Sequence, residues 1–262
     1  MKTPEKTPTT NRCLSDLDPL LKRLNLKSLK PDLERILSEP ATASATPVDI
    51  IFEVLSNEVD RRDTNALNRR LKEANLRYPQ ASVSQLDLKF DRGLSKSKIQ
   101  ALLSCDWIRF HQNCVIVGAS GLGKTWLANM LAVTAVAQGF KAKVVRLPRL
   151  LQEVYAARQV PTEYRKTLSS YKKIDLLVLD DWGIGQLDAN SRSDLLEIIE
   201  ERHGTGSTII TSMLPVKSWA AYINDATYSD AILDRLIQNA HRFELRGESL
   251  RAEPQYGAVI NS

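Results

Sequence analysis

The sequence predicts an α/β domain with a mainly parallel sheet, preceded by a small all-α domain. Three observations support this fold class: apolar residues at helical spacing through positions 14–80, short apolar runs that alternate with helical segments further along the chain, and a glycine-rich loop that joins one such run to a helix. Strands that alternate with helices are typical of parallel sheets whose two faces are covered by helices.

The composition is that of an ordinary folded protein. A chain of 262 residues, of which 43% are hydrophobic, suits one α/β domain and a small appended domain. No apolar run approaches the ~20 residues of a membrane span, and the first residues lack the apolar segment of a secretory signal. Three cysteines without metal-ligand spacing indicate a reducing compartment. We therefore expect a cytoplasmic protein with no membrane partner.

The N-terminal part divides into a polar arm and a helical domain. Residues 1–13 are polar and are expected to be disordered, and residues 14–80 are expected to form the helical domain. The apolar positions favour, in order, two helices within 15–37 that Pro31 separates, a linker over 38–47, and helices over 48–59 and 67–74.

The second domain is expected over residues 81–250, followed by a tail at 251–262. Strands are predicted at 114–117, 143–147, 174–179 and 207–212, with an edge strand at 243–245. Helices are predicted at about 95–110, 126–139, 149–171, 191–202, 219–222 and 229–239.

Residues 118–125 form the most informative stretch of the chain. They match the pattern G-x-x-x-x-G-K-[ST], and they lie between an apolar run and a helix, as that motif requires. Glycines let backbone N–H groups turn inward around an anion, and the helix N-terminus adds partial positive charge. The pattern predicts that the phosphates of a nucleotide bind to Gly118, Ala119, Ser120, Gly121, Leu122, Gly123, Lys124, Thr125 and Trp126.

Four side chains in and after this loop are candidates for the chemistry of ATP. We expect Lys124 to reach the outer phosphates and the Thr125 hydroxyl to hold Mg²⁺. The apolar run 174–179 ends in two acids, and the carboxyl end of a buried strand is where α/β sheets bind ligands. We expect Asp180 to bind Mg²⁺ and Asp181 to orient or deprotonate the attacking water. The alternative is that both acids only cap the following turn.

Three further residues late in the chain have open roles. The strand 207–212 ends in Thr211 and Ser212, either of which could sense the γ-phosphate, and ordinary strand polarity explains them equally well. Arg235 could be an arginine finger that neutralises charge at the site of a neighbouring subunit. Spacing alone favours a surface arginine paired locally, for instance with Asp230 or Asp234.

The positive charge of the chain is concentrated in one segment. Between Lys141 and Lys173 there are nine lysines and arginines and two glutamates, whereas the whole chain has a net charge of +5. We expect a DNA contact that is independent of base sequence and sensitive to salt, and the alternative is a solvated helical face. The candidate contacts are Lys141, Lys143, Arg158, Arg165, Lys166, Lys172 and Lys173.

Four runs together resemble the IstB family, the AAA+ helper ATPases of insertion-sequence transposition, which are related to DnaC-type helicase loaders. The runs are residues 118–125, 176–183, 211–215 and 230–242. The resemblance implies an AAA+ P-loop core without a C-terminal helical lid, and ATP hydrolysis at the interfaces of a homo-oligomer. It also implies assembly on duplex DNA, DNA bending and presentation of the target to a cognate transposase. By position it assigns the finger role to Arg235.

Two departures from the family pattern keep other functions open. Asp181 stands where many AAA+ ATPases have glutamate, and Met213 stands where relatives carry an amide, so phosphate sensing is left to Thr211, Ser212 or neither. The alternatives are a DnaC-like loader of a replicative helicase and a nucleotide-gated architectural DNA binder with little hydrolysis. A small-molecule kinase is disfavoured by the basic segment and by Arg235.

Overall fold

The structure is a computed structural model that describes residues 13–40, 44–86 and 93–250. The chain divides into two compact units, one up to Ala66 and one from Leu67. The sequence-based boundary at 80/81 therefore differs from the structural one, because Ala74 and Ala81 are buried in the core of the second unit. The predicted arm, apart from Cys13, and the predicted tail lie outside the described residues.

The first unit is helical, as predicted. Its helices are α1 (Asp18–Arg23), α2 (Leu29–Ser38) and α3 (Pro47–Glu73), the last of which continues into the second unit. Pro31 does not separate two helices, which corrects the prediction. It lies in the first turn of α2, where its missing N–H costs no helical hydrogen bond. The two helices predicted over 48–59 and 67–74 are one helix.

A buried acid anchors α3 within the first unit. Glu58 is 5% exposed, and its carboxylate accepts hydrogen bonds from Ser28 Oγ at 2.8 Å and from Arg62 Nε at 2.6 Å. Arg61 forms an ion pair with the same carboxylate. A buried carboxylate is tolerated only when it is paired in this way. The network therefore fixes α3 against the segment that enters α2.

The second unit is built on a five-stranded parallel sheet. The strands are β1 (Asn113–Gly118), β2 (Ala142–Arg146), β3 (Leu176–Trp182), β4 (Ser207–Ser212) and β5 (Ala240–Leu245). Their order is β2-β3-β4-β1-β5, and every neighbouring pair is parallel. The five predicted strands are present, and β5 is an edge strand, as is β2 on the opposite side of the sheet. Strand β5 is the last regular element of the described part, which ends at Leu250.

Helices cover both faces of this sheet. They are α4 (Lys96–Leu103), α5 (Asp106–Arg109), α6 (Lys124–Ala137), α7 (Leu147–Ala157), α8 (Pro161–Lys172), α9 (Ala189–Arg202), α10 (Trp219–Ile223) and α11 (Ala226–Ile237). The single helix predicted over 95–110 is two helices, because Cys105 between them has a left-handed φ of 59°. Among the described helices, none has the length and apolar character needed to cross a membrane.

Strand side chains alternate between two hydrophobic clusters, one on each face. On β1, Cys114 and Ile116 belong to the cluster with α6, whereas Val115 belongs to the cluster with α7, α9 and α11. This period of two is the geometry of an extended strand buried on both faces. The sheet order places β4 between β1 and β3. The carboxyl ends of these three strands, where the predicted site residues lie, are therefore adjacent.

Candidate nucleotide-binding site

The loop after β1 has the backbone of an anion cradle. Gly118, at φ 155°, and Gly123, at φ 84°, adopt conformations that side chains disfavour. A Cβ on Gly118 would also lie 2.7 Å from the Leu245 carbonyl oxygen. Gly123 is the N-cap of α6, so the N–H groups of the first helical turn are next to the loop. The loop therefore suits a bound phosphate without rearrangement of its glycines.

Lys124 lies within the curve of this loop. Its side chain is largely buried, and its Nζ donates hydrogen bonds to the carbonyl oxygens of Gly118 and Ala119, both at 2.8 Å. The ammonium group is thus already positioned where phosphate would enter. Its contact with the outer phosphates stays a prediction.

Two hydroxyls converge on the carboxylate of Asp180. Thr125 Oγ1 lies 3.0 Å from Asp180 Oδ1, and the Thr211 hydroxyl donates to the same oxygen. Asp180 is 3% exposed and Thr211 is 1% exposed, so this cluster is shielded from solvent. Carboxylate and hydroxyl oxygens are the ligands that Mg²⁺ prefers. The donor set at the junction of β1, β3 and β4 therefore fits the metal expected from the sequence.

The two hydroxyls at the end of β4 have different partners. Ser212 Oγ donates to the Trp182 carbonyl at 2.8 Å and accepts from the Leu214 N–H at 3.0 Å. It therefore shapes the turn after β4, whereas Thr211 contacts the acid. Met213, the next residue, is 51% exposed.

Asp181 is held by a residue that sequence reasoning did not single out. Arg146 Nε lies 2.5 Å from Asp181 Oδ2, and the Arg146 side chain is 60% exposed. The contact forms because β2 pairs with β3, which places Arg146 opposite Asp180. Asp181 itself has a left-handed φ of 62°. Only the strand order, which the sequence does not state, could have revealed this pair.

The site residues line a cavity with a volume of about 230 Å³. Its polar lining includes residues 120–125 with Asp180, Asp181 and Thr211. Its apolar lining was not predicted; it includes Tyr78, Leu86, Leu94, Leu245 and Leu250, and the Leu250 N–H donates to the Gly121 carbonyl of the phosphate loop at 3.0 Å. A cavity lined by both polar and apolar groups matches a nucleotide, which has charged phosphates and a flat base.

Asn129 links the segment around Arg77 to the helix that follows the phosphate loop. It is fully buried on α6; its Oδ1 accepts from the Arg77 N–H at 2.8 Å, and its Nδ2 donates to the Thr125 carbonyl at 2.7 Å. The segment around Arg77 and Tyr78 was assigned to the first domain by sequence, so its part in the cavity was missed. Asn129 holds that segment against the helix that begins at the phosphate loop.

Arg235 lies away from this cavity, near the opposite end of β1. Asn113, the first residue of β1, donates from Nδ2 to the Arg235 carbonyl at 3.0 Å, whereas the phosphate loop follows the last residue of the strand. The Arg235 guanidinium is paired with Glu200, at 2.6 Å between Nη2 and Oε1, and not with Asp230 or Asp234. A single chain therefore does not bring Arg235 to its own phosphate loop.

Two of the candidate DNA contacts, Arg158 and Lys143, are half-buried and engaged within the chain. Arg158 pairs at 2.6 Å with Asp194, which is 1% exposed, and Lys143 Nζ lies 4.2 Å from the centre of the Tyr171 ring. Burial, together with a hydrogen bond to Asp194, raises the pKa of Tyr164 to about 12, so this phenol is a donor in the same network. These side chains hold α7 and α8 in place.

The other candidate contacts are exposed. Lys166 and Lys172 form surface ion pairs with Glu163 and Glu201, both at 2.7 Å. The remaining exposed cations are Lys141, Arg165 and Lys173.

Comparison with known proteins confirms the family resemblance that the sequence motifs indicate. A family described as "IstB-like ATP binding protein" matches residues 19–258. A relative from Sinorhizobium fredii, named as the insertion sequence ATP-binding protein y4uH, is 38% identical over 232 residues, which cover 88% of this chain and 93% of the relative.

Solved structures show the same fold at lower identity. DnaI is 22% identical with a TM-score of 0.55, and the match covers 64% of this chain and 92% of that chain. The DnaC helicase loader is 20% identical with a TM-score of 0.51, and the match covers 65% and 99%. The predicted fold class, an AAA+ P-loop core with an all-α N-terminal region, is confirmed. The chain belongs to the family of IstB-like ATP-binding proteins.

Proposed function

We propose that this protein is an ATP-dependent helper of insertion-sequence transposition. It oligomerises on duplex DNA, bends it and presents it as a target to a transposase, and ATP hydrolysis resets the assembly. The observation that carries the proposal is the separation of the two ends of the sheet. The phosphate loop lies after β1, and Arg235 lies beside the start of β1, so a complete site needs two copies of the chain.

ATP binding uses the cavity at the carboxyl ends of β1, β3 and β4. Lys124 exchanges its bonds to the Gly118 and Ala119 carbonyls for bonds to phosphate oxygens. The base lies against the apolar lining of the cavity, which includes Tyr78 and Leu86. Thr125 and Asp180 would hold Mg²⁺, which when bound would neutralise phosphate charge. Thr211 orients Asp180 through their hydrogen bond.

Hydrolysis requires a base at the position of Asp181. The carboxylate accepts the proton of the attacking water as the water oxygen bonds to the γ-phosphorus and the bond to the β-phosphate oxygen breaks. In the chain as described, Oδ2 of Asp181 is engaged by Arg146. We propose that this engagement keeps turnover slow until the assembly forms.

Arg235 of a second copy completes the site. Its guanidinium stabilises the charge that spreads over the phosphoryl oxygens in the transition state. ATP binding then favours the assembled state because both copies contact the same nucleotide, and hydrolysis removes that linkage.

The exposed cations of the basic segment are the DNA contacts we propose. Lys141, Arg165 and Lys173 are exposed, and Lys166 and Lys172 are restrained only by surface pairs, which are weak. Each phosphate contact made by such a side chain releases counterions, so affinity falls with salt. Arg158 and Lys143 are left out because their charges are already engaged, by the Asp194 carboxylate and by the Tyr171 ring respectively.

One observation favours a second candidate function, a nucleotide-gated DNA binder with little hydrolysis. Asp181, the proposed base, is paired with Arg146, and Met213 offers no hydrogen-bond donor to the cavity that it lines. The loader alternative has no comparable support, since the likeness to DnaC at 20% identity concerns the fold.

The experiment that tests the proposal measures assembly and turnover together. Sedimentation velocity of the full chain with ATP, Mg²⁺ and duplex DNA should show a species much larger than the monomer, and omission of ATP or duplex should abolish it. Phosphate release should rise when duplex is added. Persistence as a monomer would contradict the proposal; assembly without phosphate release would support the architectural binder, and a preference for single strands would support the loader.

A further inference from the structure

The guanidinium of Arg235 is restrained by two bonds within its own chain. Nη1 donates to the Ala231 carbonyl at 2.8 Å, and Nη2 lies 2.6 Å from Glu200 Oε1. The Arg235 side chain is 26% exposed, and that of Glu200 is 43% exposed. The pair thus lies at the surface with one side open to solvent. A guanidinium has more N–H donors than these two bonds use, so further donors are left for an anion.

Glu200 and Arg235 lie on two helices that pack against the same hydrophobic core. Glu200 is in α9 and Arg235 is in α11, and both helices pack into the same hydrophobic cluster. Within that cluster Ile198 of α9 and Ile232 of α11 are at most 1% exposed. The acid and the arginine are therefore anchored to one core, so the bond between them fixes the direction of the guanidinium.

A fixed direction matters because an arginine has a long side chain with many rotamers. A group that acts in the transition state is effective only when it is held close to its productive geometry. Without Glu200, Arg235 keeps its charge and its bond to Ala231 but loses the contact that restrains Nη2. The finger is then present but poorly oriented.

We propose that Glu200 is a positioning residue for hydrolysis in trans: it orients Arg235 toward the nucleotide held by the next copy of the chain. The inference rests on the proposed function, in which Arg235 acts on a neighbouring subunit's ATP. It adds a residue outside every sequence motif of the chain, on a helix that contributes nothing to the cavity of its own copy.

The chain provides a matched control in the next residue. Glu201 is also on α9, also pairs with one cation, Lys172 at 2.7 Å, and is 40% exposed. Substitution at either position removes one surface carboxylate and one ion pair. Effects of helix propensity, net charge and surface pairing are thus nearly equal, and only Glu200 contacts Arg235.

The test is steady-state ATP hydrolysis by the full chain with saturating duplex DNA. For Glu200→Ala we expect kcat to fall about tenfold with KM for ATP unchanged, because only transition-state geometry is affected. Glu201→Ala should leave kcat within about twofold of the unmodified chain. Glu200→Gln, which keeps a hydrogen-bond acceptor for Nη2, should recover part of the loss.

A double variant separates positioning from a structural role. If Glu200 acts through Arg235, then Glu200→Ala combined with Arg235→Ala should be no slower than Arg235→Ala alone. Additive losses, or an unchanged kcat for Glu200→Ala while Arg235→Ala is inactive, would overturn the positioning role and leave the finger intact. Full activity of Arg235→Ala would instead overturn the finger itself, and with it the proposed function.

Discussion

The two ends of the parallel sheet are built in different ways. At the carboxyl ends, the loop after β1 and the ends of β3 and β4 form a cradle whose partners are backbone groups and buried side chains, such as Lys124 against Gly118 and Thr211 against Asp180. At the amino end, Arg235 is positioned by contacts between helices and by the half-exposed Glu200. The first arrangement is complete within one chain and suits binding. In the second, Arg235 lies away from the phosphate loop of its own chain, so the arrangement suits action on a second chain.

The largest effect should follow removal of the Arg235 guanidinium, which lies near the amino end of β1. Arg235→Ala should lower turnover by about 10³-fold, because an arginine finger stabilises charge that exists only in the transition state. Nucleotide affinity of the isolated chain should not change, since Arg235 is remote from the phosphate loop. Fluorescent-nucleotide titration and phosphate release measure the two quantities. A parallel loss of affinity would show that the two ends are not independent.

At the carboxyl end, the corresponding change should affect binding first. Lys124→Ala removes a charged donor from the cradle, and we expect nucleotide affinity to fall by roughly 10–100-fold, the value of one charge-assisted hydrogen bond. The same titration reports it, with Lys217→Ala, at an exposed lysine that does not line the cavity, as the control. Unaltered affinity would remove the cradle assignment.

The contribution of Asn129, which bonds to both Arg77 and Thr125, should be measurable in the free energy of unfolding. Asn129→Ala leaves the Arg77 N–H and the Thr125 carbonyl without their buried partner. The expected loss is about 1–3 kcal/mol in the free energy of unfolding. Urea denaturation measures it, and added ATP should recover part of it, because the ligand binds only the folded chain. A loss below about 0.5 kcal/mol, which is typical of a substitution at the protein surface, would contradict the linking role of Asn129.

The smallest effect concerns Arg146, the cation paired with Asp181. Arg146→Ala should change stability by less than about 1 kcal/mol, since its side chain is mostly exposed. Turnover without DNA should rise a few-fold, because Asp181 Oδ2 becomes available to accept a proton. Phosphate release in the absence of duplex is the measurement. A fall in turnover would mean that Arg146 orients the base productively.

Prediction from sequence succeeded where the signal was local. The strands before Gly118 and Asp180 are apolar on both faces, and strand β4 matches the predicted 207–212. The helix α3 was divided in the prediction because residues 60–66 are polar, yet they contain no glycine or proline that would end a helix. In contrast, the helix predicted before β1 is interrupted at Cys105, although this residue is neither glycine nor proline.

The rest of the site depends on strand order and packing, which sequence patterns do not encode. Arg146 reaches Asp181 only because β2 lies beside β3. Tyr78 and Leu250, far apart in the chain, line one cavity. Glu200 meets Arg235 because two helices share one core. Each contact joins segments whose separation in sequence carries no periodic signal.

The central claim is that two copies of this chain share each nucleotide, and a mixing experiment tests it most directly. Arg235→Ala retains a competent cradle and Lys124→Ala retains a competent finger, so each alone should be nearly inactive. Mixed on duplex DNA with ATP and Mg²⁺, the two should hydrolyse ATP well above the sum of their separate rates. A mixture that assembles but stays at that sum would contradict the claim.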